Sequence, residues 1–121
     1  MEKISQKEEL EKAKETAKKK AEELSSAFGC KVYPLVFAPE GESIAIGFLK
    51  EPPRFVKLKM LDRAATQSIT AASEVVDAYL IREHSDERIY SEASVNDLYY
   101  LGACLEAEKT VSIAINQLKK N

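Results

Sequence analysis

The side chains that most often carry out chemistry are few in this chain and lie far apart along it. His84 is the only histidine, and the two cysteines are Cys30 and Cys104. No CxxC or HxxxH pair occurs, so the spacing that a structural zinc site needs is missing. His84 lies in a polar segment where no motif supplies the positioned partner that acid–base or nucleophilic catalysis requires. We therefore predict no metal site and no catalytic residue.

The glycines do not form a phosphate-binding loop either. Backbone N–H groups approach a phosphate closely where glycines are clustered, whereas here they stand apart, at Gly29, Gly41, Gly47 and Gly102. We therefore predict no bound cofactor. Gly102 falls inside a helical pattern, where glycine costs about 1 kcal/mol relative to alanine, so we expect close packing on the hairpin or another helix there.

Composition limits the class of protein. The chain has 121 residues, of which 45% are hydrophobic and 31% charged, and this is enough for one domain with its own core. The net charge of −2 argues against a nucleic-acid or membrane binder that works through bulk positive charge. It leaves a local basic patch open, and one cluster exists: Lys50, Arg54, Lys57, Lys59 and Arg63.

The start of the chain has no apolar signal region, and no long apolar run occurs elsewhere. We therefore expect the protein in the reducing cytoplasm, with no membrane attachment. Both cysteines are then expected to be free thiols, and Cys104 is expected to be a small buried apolar residue.

The elements predict an α+β fold with an N-terminal helix, a β-hairpin and two long C-terminal helices packed on the hairpin. A Lys/Glu-rich helix over residues 3–28 ends at Gly29, and we expect its first turns to be mobile or bound to a partner. Strands over residues 31–38 and 43–50 form the hairpin. We divide the chain into this partly mobile helix, residues 1–28, and a single α+β domain, residues 29–121.

A helical pattern follows the hairpin over residues 54–83. Weak helix formers at residues 66–70 leave two alternatives, one helix or two. Its apolar stripe contains these positions: Phe55, Leu58, Leu61, Ala65, Ile69, Ala72, Val76 and Leu80. A polar connection over residues 84–93 precedes a last helix, capped by Ser94, that runs to about Lys119. Leu98, Leu101 and Leu105 are expected to widen the buried stripe of that helix.

Aromatic, apolar and basic side chains at the strands and helix starts are our candidates for contact with a partner. The candidates are Tyr33, Leu35, Phe37, Arg54, Lys57, Tyr99 and Tyr100. Tyrosine is enriched at interfaces because it brings rigid apolar area together with one polar group, but it is equally common in cores. Pro34 cannot donate a ladder hydrogen bond, which places its strand at a sheet edge, where another chain could add a strand.

The order of these features resembles a group of small phage and prophage proteins that are often labelled tail-assembly-chaperone-like. Three passages carry the resemblance: residues 28–33, where a Lys-rich helix leads into a strand; residues 45–54, where a strand ends in a basic residue, proline and arginine; and residues 74–81 with the later acidic pair Asp86-Glu87. The chain departs from the group at residues 84–87, which lack glycine, and at Tyr79, where a cysteine is common.

This resemblance implies a non-enzymatic protein of the bacterial cytoplasm, or one associated with the virion. Such a protein binds an aggregation-prone tail or virion component until assembly. Two alternatives are an oligomer-forming virion structural protein, built by self-association, and a small-ligand-binding protein.

Overall fold

The computed structural model describes residues 2–63, 66–91 and 97–119. Helix α1 spans Glu2–Phe28, and the hairpin consists of β1, Val32–Phe37, and β2, Ala45–Lys50. Helices α2, Arg54–Arg63, and α3, Ser68–Tyr79, follow. A 3₁₀ turn at Arg82–His84 and the short helix α4, Glu87–Tyr90, lead to α5, Leu98–Lys119. The predicted α+β layout is therefore confirmed.

The hairpin is antiparallel, and it is covered by helices on both of its faces. Its register pairs Tyr33 with Leu49, Leu35 with Gly47 and Phe37 with Ala45. Because side chains alternate along a strand, Tyr33, Leu35 and Phe37 share one face. This face packs on α2, α3 and α5 through a core that includes the following buried residues: Leu35, Leu49, Met60, Ala72, Val75, Val76, Ile89 and Cys104.

The second face of the hairpin carries Ile44, Ile46 and Phe48, and it packs against α1. Three small or medium side chains of α1 are buried there: Ala17, Ala21 and Leu24. The alanines remove little apolar area from water, but they let the helix axis approach the sheet closely. The sequence pattern predicted helices on one hairpin face, whereas the structure has a helix layer on each.

The junction between α1 and β1 is built from one serine and one glycine. Gly29 adopts a left-handed φ of 70°, which only glycine reaches without steric cost, and its N–H donates to the Ser25 carbonyl. The Ser25 hydroxyl donates to the Ala21 carbonyl and accepts from the N–H of Val32 at 2.9 Å. The helix end is thereby fastened to the first residue of the strand.

The long helical pattern after the hairpin is interrupted, so the two-helix alternative is confirmed. Gln67 has a non-helical φ of −136°, and it separates α2 from α3. An ion pair between Arg63 and Glu74 joins the two helices across the break. The predicted stripe assumed one continuous helix, and for that reason it was wrong in part: Phe55, Leu58 and Ile69 are exposed.

The connection before α5 is more ordered than the polar sequence suggested. Residues 82–84 form the 3₁₀ turn, and Asp86 caps α4 by accepting from the N–H of Arg88. The predicted Ser94 cap lies outside the described residues. The helix that follows begins at Leu98 in the described part of the chain.

Candidate interaction surface

A row of three exposed leucines marks the surface of α5. Leu98, Leu101 and Leu105, here called the leucine ridge, are 41%, 49% and 50% exposed. Their spacing of three and four residues places them on one side of the helix. The expectation that they widen the buried stripe is wrong. The buried side of α5 consists instead of Tyr99, Ala103, Cys104 and Ala107.

The residue sizes on α5 explain why the leucines face outward. Ala103, Cys104 and Ala107 are fully buried against the hairpin and α3. Their small side chains let α5 lie close to both elements, and leucines could not fit at that distance. The leucine ridge is therefore left as apolar surface that no described element covers.

The leucine ridge forms one wall of a shallow groove of about 370 Å³. The opposite wall is the end of β1 and the start of the hairpin turn, residues 37–40. Charged side chains stand at the rim, where Lys109 pairs with Glu106 at 3.1 Å and Glu40 is exposed on the turn. The groove is thus apolar along its walls and charged at its edges.

Phe37 lies along this groove because Gly102 leaves room for its ring. A Cβ atom at position 102 would lie only 2.5 Å from Cε2 of Phe37. The ring also forms a tilted pair with Tyr99, with 6.2 Å between the ring centroids. The predicted close packing of Gly102 on the hairpin is confirmed, and it fixes the position of α5 relative to β1.

Arg88 holds the hairpin turn against α4 and α5. Its guanidinium donates to the Ser43 hydroxyl at 2.6 Å, to the Ile44 carbonyl at 3.0 Å and to the Tyr99 hydroxyl at 2.9 Å. It also lies over the Tyr99 ring, 4.1 Å from the centroid, and pairs with Asp86 at 2.6 Å. The hydrogen bond from Arg88 holds the pKa of Asp86 below its ordinary value. This network fixes the turn that forms one wall of the groove.

The turn itself has the backbone of a tight reversal. The N–H of Glu42 donates to the Pro39 carbonyl at 2.9 Å, and Gly41 adopts a φ of 79°. A glycine with positive φ at the third of the four turn positions is typical of a type II turn. The exposed carboxylates of Glu40 and Glu42 therefore project from a rigid loop at one end of the groove.

Three of the seven predicted contact residues lie at the groove or in the core behind it. Phe37 lines the groove, whereas Leu35 is fully buried and Tyr99 nearly so. The Tyr99 hydroxyl donates to the Ser43 carbonyl at 3.0 Å, so its polar group is used to hold the turn.

The other four predicted contact residues lie elsewhere. Tyr33 and Lys57 meet at the opposite end of the hairpin, where the hydroxyl of Tyr33 and the amine of Lys57 both donate to Glu51. Arg54 is the exposed first residue of α2. Tyr100 faces α3 and donates to Asp77 at 2.9 Å. Burial is the main cause that raises the pKa of Tyr100.

The outer edge of β1 is poorly suited to pairing with a new strand. The backbone groups of Phe48 and Ile46 form hydrogen bonds to residues 81–86, on the side of β2 that faces away from β1. In an antiparallel pair the backbone groups of their cross-strand partners, Pro34 and Val36, therefore face away from β2, at the outer edge of β1. Pro34 has no N–H, and the outward N–H of Val32 is already bonded to Ser25. Of the outward positions on β1, only Val36 is left with an N–H that could pair with a new strand.

The residues first considered for chemistry are separated in the structure. His84 is exposed on the 3₁₀ turn, Cys30 is half-buried after α1, and Cys104 is in the core. Burial raises the pKa of the Cys104 thiol, which keeps it protonated. Among the described residues, no three His, Cys, Asp or Glu side chains are grouped so as to hold a metal ion.

Comparison with known proteins gives no relative from which a role could be transferred. No family model, curated protein or solved structure matches the chain. Within the described ranges, no helix has the length and apolar character needed to span a membrane. The leucine ridge and its groove are therefore interpreted from their own chemistry.

Proposed function

We propose that this chain is a non-enzymatic protein-binding module whose leucine ridge holds an apolar helical segment of a partner protein. The observation that carries the proposal is the exposure of Leu98, Leu101 and Leu105 on one side of a helix. Large contiguous apolar patches are rare on the surface of monomeric soluble proteins, and they mark interaction sites where they occur. No side chain of the described chain covers this one.

The shape of the groove favours a helix as the occupant. From Leu98 to Lys109 the groove follows α5 for about three helical turns, or ~16 Å at 1.5 Å per residue. A partner helix with apolar residues at positions i, i+3 and i+7 offers a matching row. A strand is a poorer occupant, because the neighbouring β1 edge lacks a donor at Pro34.

Negative charge at one end of the groove favours a partner with a basic residue next to its apolar face. Glu40 and Glu42 are exposed on the turn at one end. A basic residue beside the apolar row of the partner would complement these carboxylates and set the direction in which the helix binds. We therefore propose a partner segment that is apolar on one face and basic at one end.

In its more specific form, the proposal follows the resemblance to tail-assembly-chaperone-like proteins. The chain would act in the bacterial cytoplasm, shielding an apolar segment of a phage or prophage tail or virion component until assembly. A surface that buries only three leucines and the flank of Phe37 suits such temporary binding, because small interfaces are typical of transient complexes.

Co-expression tests this proposal. The chain is produced together with the tail-tube protein, and separately with the tape-measure protein, of the same phage or prophage genome. We expect one of them to become more soluble and to co-purify with the chain. The double variant Leu101→Glu/Leu105→Glu should abolish both effects, because it places two charges in the groove.

Leu58→Glu is the matched control, since Leu58 is 54% exposed on α2 and lies outside the leucine ridge. It should leave the partner's soluble yield unchanged. The proposal is overturned if neither virion protein gains solubility, or if the double variant works as well as the wild-type chain. Light scattering of the chain alone separates the alternatives, because a discrete large ring would favour the oligomer-forming structural protein instead.

A further inference from the structure

A second surface lies at the opposite end of the hairpin from the groove, where the last turn of α1, both strands and the start of α2 meet. The register brings Val32 beside Lys50, and the N–H of Glu51 donates to the Lys31 carbonyl at 2.9 Å. We call this surface the basic–aromatic end. It consists of Phe28, Lys31, Tyr33, Lys50, Glu51, Arg54, Phe55, Lys57 and Lys59.

Each of the three aromatic rings at this end is accompanied by a lysine. The Lys50 amine lies 4.4 Å from the ring centroid of Phe28, and Lys31 lies 5.0 Å from that of Tyr33. On α2, Lys59 lies 4.8 Å from the ring centroid of Phe55. A lysine amine over a ring is held by the negative face of that ring. Each lysine therefore covers one face of its ring, and of the three rings those of Phe28 and Phe55 are exposed whereas that of Tyr33 is half-buried.

Most of this surface is open to solvent. Phe55 is 67% exposed and Phe28 is 39% exposed, which is high for side chains of this size. The adjoining Pro52 is fully buried, and Lys57 of α2 pairs with Glu51 at the end of the hairpin. The fold therefore does not use the Phe55 ring for packing, although the backbone beneath it is fixed.

The charge at this end differs in sign from that of the whole chain. Five cations stand here against one carboxylate, that of Glu51, which accepts from both Lys57 and Tyr33. The nearest acidic residues on the flanking helices are Glu23 of α1, more than one helical turn before Phe28, and Asp62 of α2, about one turn after Lys59. An anion therefore meets a locally positive surface, although the net charge of the chain is −2.

We propose that the basic–aromatic end binds single-stranded nucleic acid. A single strand repeats a base and a phosphate. The exposed rings of Phe55 and Phe28 can each stack on a base through the face that their lysine does not cover, and the cations around them can pair with the phosphates. An acidic peptide would use the cations but would leave the exposed rings without a role. A duplex would present phosphates but no unstacked bases. This site is independent of the leucine ridge and of the partner proposed for it.

Fluorescence anisotropy tests the proposal directly. The probes are fluorescein-labelled 12-mers of oligothymidylate and oligouridylate, titrated with the full chain at 50 to 200 mM salt. We expect saturable binding at 50 mM salt. Its affinity should fall with salt at a log–log slope of about −2 to −3, which corresponds to three or four neutralised phosphates on a single strand.

Two variants separate charge from stacking. Lys31→Ala/Arg54→Ala/Lys59→Ala removes three exposed cations, and it should flatten the salt slope and abolish binding at 200 mM salt. Phe55→Ala keeps the flanking charges, and it should weaken binding at least about five-fold, the lower limit for loss of one base-stacking contact. Both changes lie on exposed side chains, so the thermal unfolding midpoint should stay close to that of the wild type.

Lys12→Ala/Lys14→Ala/Lys18→Ala is the matched control, because it removes the same charge from exposed positions of α1 about 15 to 24 Å along the helix from Phe28. It should bind the probes like the wild type. Equal loss in the control, equal affinity for a labelled duplex, or preference for a labelled hexaglutamate peptide would each overturn the proposal. Failure here would leave co-purification through the leucine ridge unaffected, so the two proposals can fail separately.

Discussion

Replacing Gly102 by alanine tests how tightly α5 is set against the hairpin. The new Cβ would lie 2.5 Å from Cε2 and 2.7 Å from Cδ2 of Phe37, whereas carbon atoms in contact rest about 3.5 to 4.0 Å apart. The ring would therefore have to move by about 1 Å, and its pairing with Tyr99 would change with it. The substitution cannot be accommodated without shifting the side chains that line the groove.

Two effects of opposite sign decide the outcome. Alanine is the better helix former by about 1 kcal/mol, whereas overpacking a well-filled site costs about 1 to 3 kcal/mol. We expect overpacking to win, so Gly102→Ala should lower the free energy of unfolding by about 0.5 to 2 kcal/mol. For a domain of this size the melting temperature should fall by roughly 2 to 8 °C. Urea denaturation and thermal unfolding, followed by circular dichroism, measure both quantities.

A second background isolates the contact responsible. In a Phe37→Ala chain both ring atoms that clash are absent, so Gly102→Ala should there be neutral or should stabilise by up to about 1 kcal/mol, the helix-propensity gain alone. The reasoning is refuted if Gly102→Ala stabilises the wild-type chain. It is equally refuted if the change in free energy is the same in both backgrounds.

Three further predictions concern the Arg88 network and the cysteines. Arg88→Lys should lower the free energy of unfolding by about 1 to 2 kcal/mol in urea denaturation, because lysine cannot reach several acceptors at once, while Arg82→Lys on the exposed turn should change it little. The pKa of Asp86 is lowered in the folded chain, so the carboxylate stabilises the fold above the ordinary pKa of 3.8, and this stabilisation is lost as the pH falls through the lower folded pKa. Asp86→Asn removes this titration, so the melting temperature of the variant should fall less than that of the wild type between pH 5 and strong acid. An aromatic disulfide reagent should label the half-buried Cys30 in the native chain and Cys104 only after denaturation, and rapid native labelling of both would contradict the burial of Cys104.

Local sequence signals predicted the hairpin and the main helices well. Strands of alternating apolar residues around a Pro-Glu-Gly-Glu turn admit few alternatives, and Gly29 marks the end of α1 clearly. The weak helix formers near Gln67 correctly indicated where the long helical pattern could divide. These features depend on neighbouring residues, so a single sequence contains the information that fixes them.

The candidate surface could not be predicted in the same way. Pattern reasoning assigns the largest apolar residues to the core, and it therefore placed Leu101 and Leu105 inside. In the structure the buried side of α5 is built from small residues such as Ala103 and Ala107, because the helix lies close to α3 and β1. The distance between elements decides which apolar stripe is buried, and no local pattern in the sequence records that distance.

The second helix layer was missed for a related reason. Ala17 and Ala21 are small side chains, and each removes little apolar area from water when it is buried. Both are nearly inaccessible to solvent against the hairpin. Alternation along the strands shows that each has two faces, but it does not show whether both faces are apolar enough to need a cover. Val36 and Phe48 make the second face apolar, but the register must be known before they can be placed on that face.

The two edges of the two-stranded sheet determine how readily the protein can form fibrils at high concentration. One edge is sealed by residues 81–86, and the other is interrupted by a proline and fastened to a helix serine. Growth of cross-β fibres needs an uninterrupted row of backbone donors and acceptors as a template. The chain exposes the leucine ridge but no free strand edge, so we expect it to resist fibril formation even at high concentration.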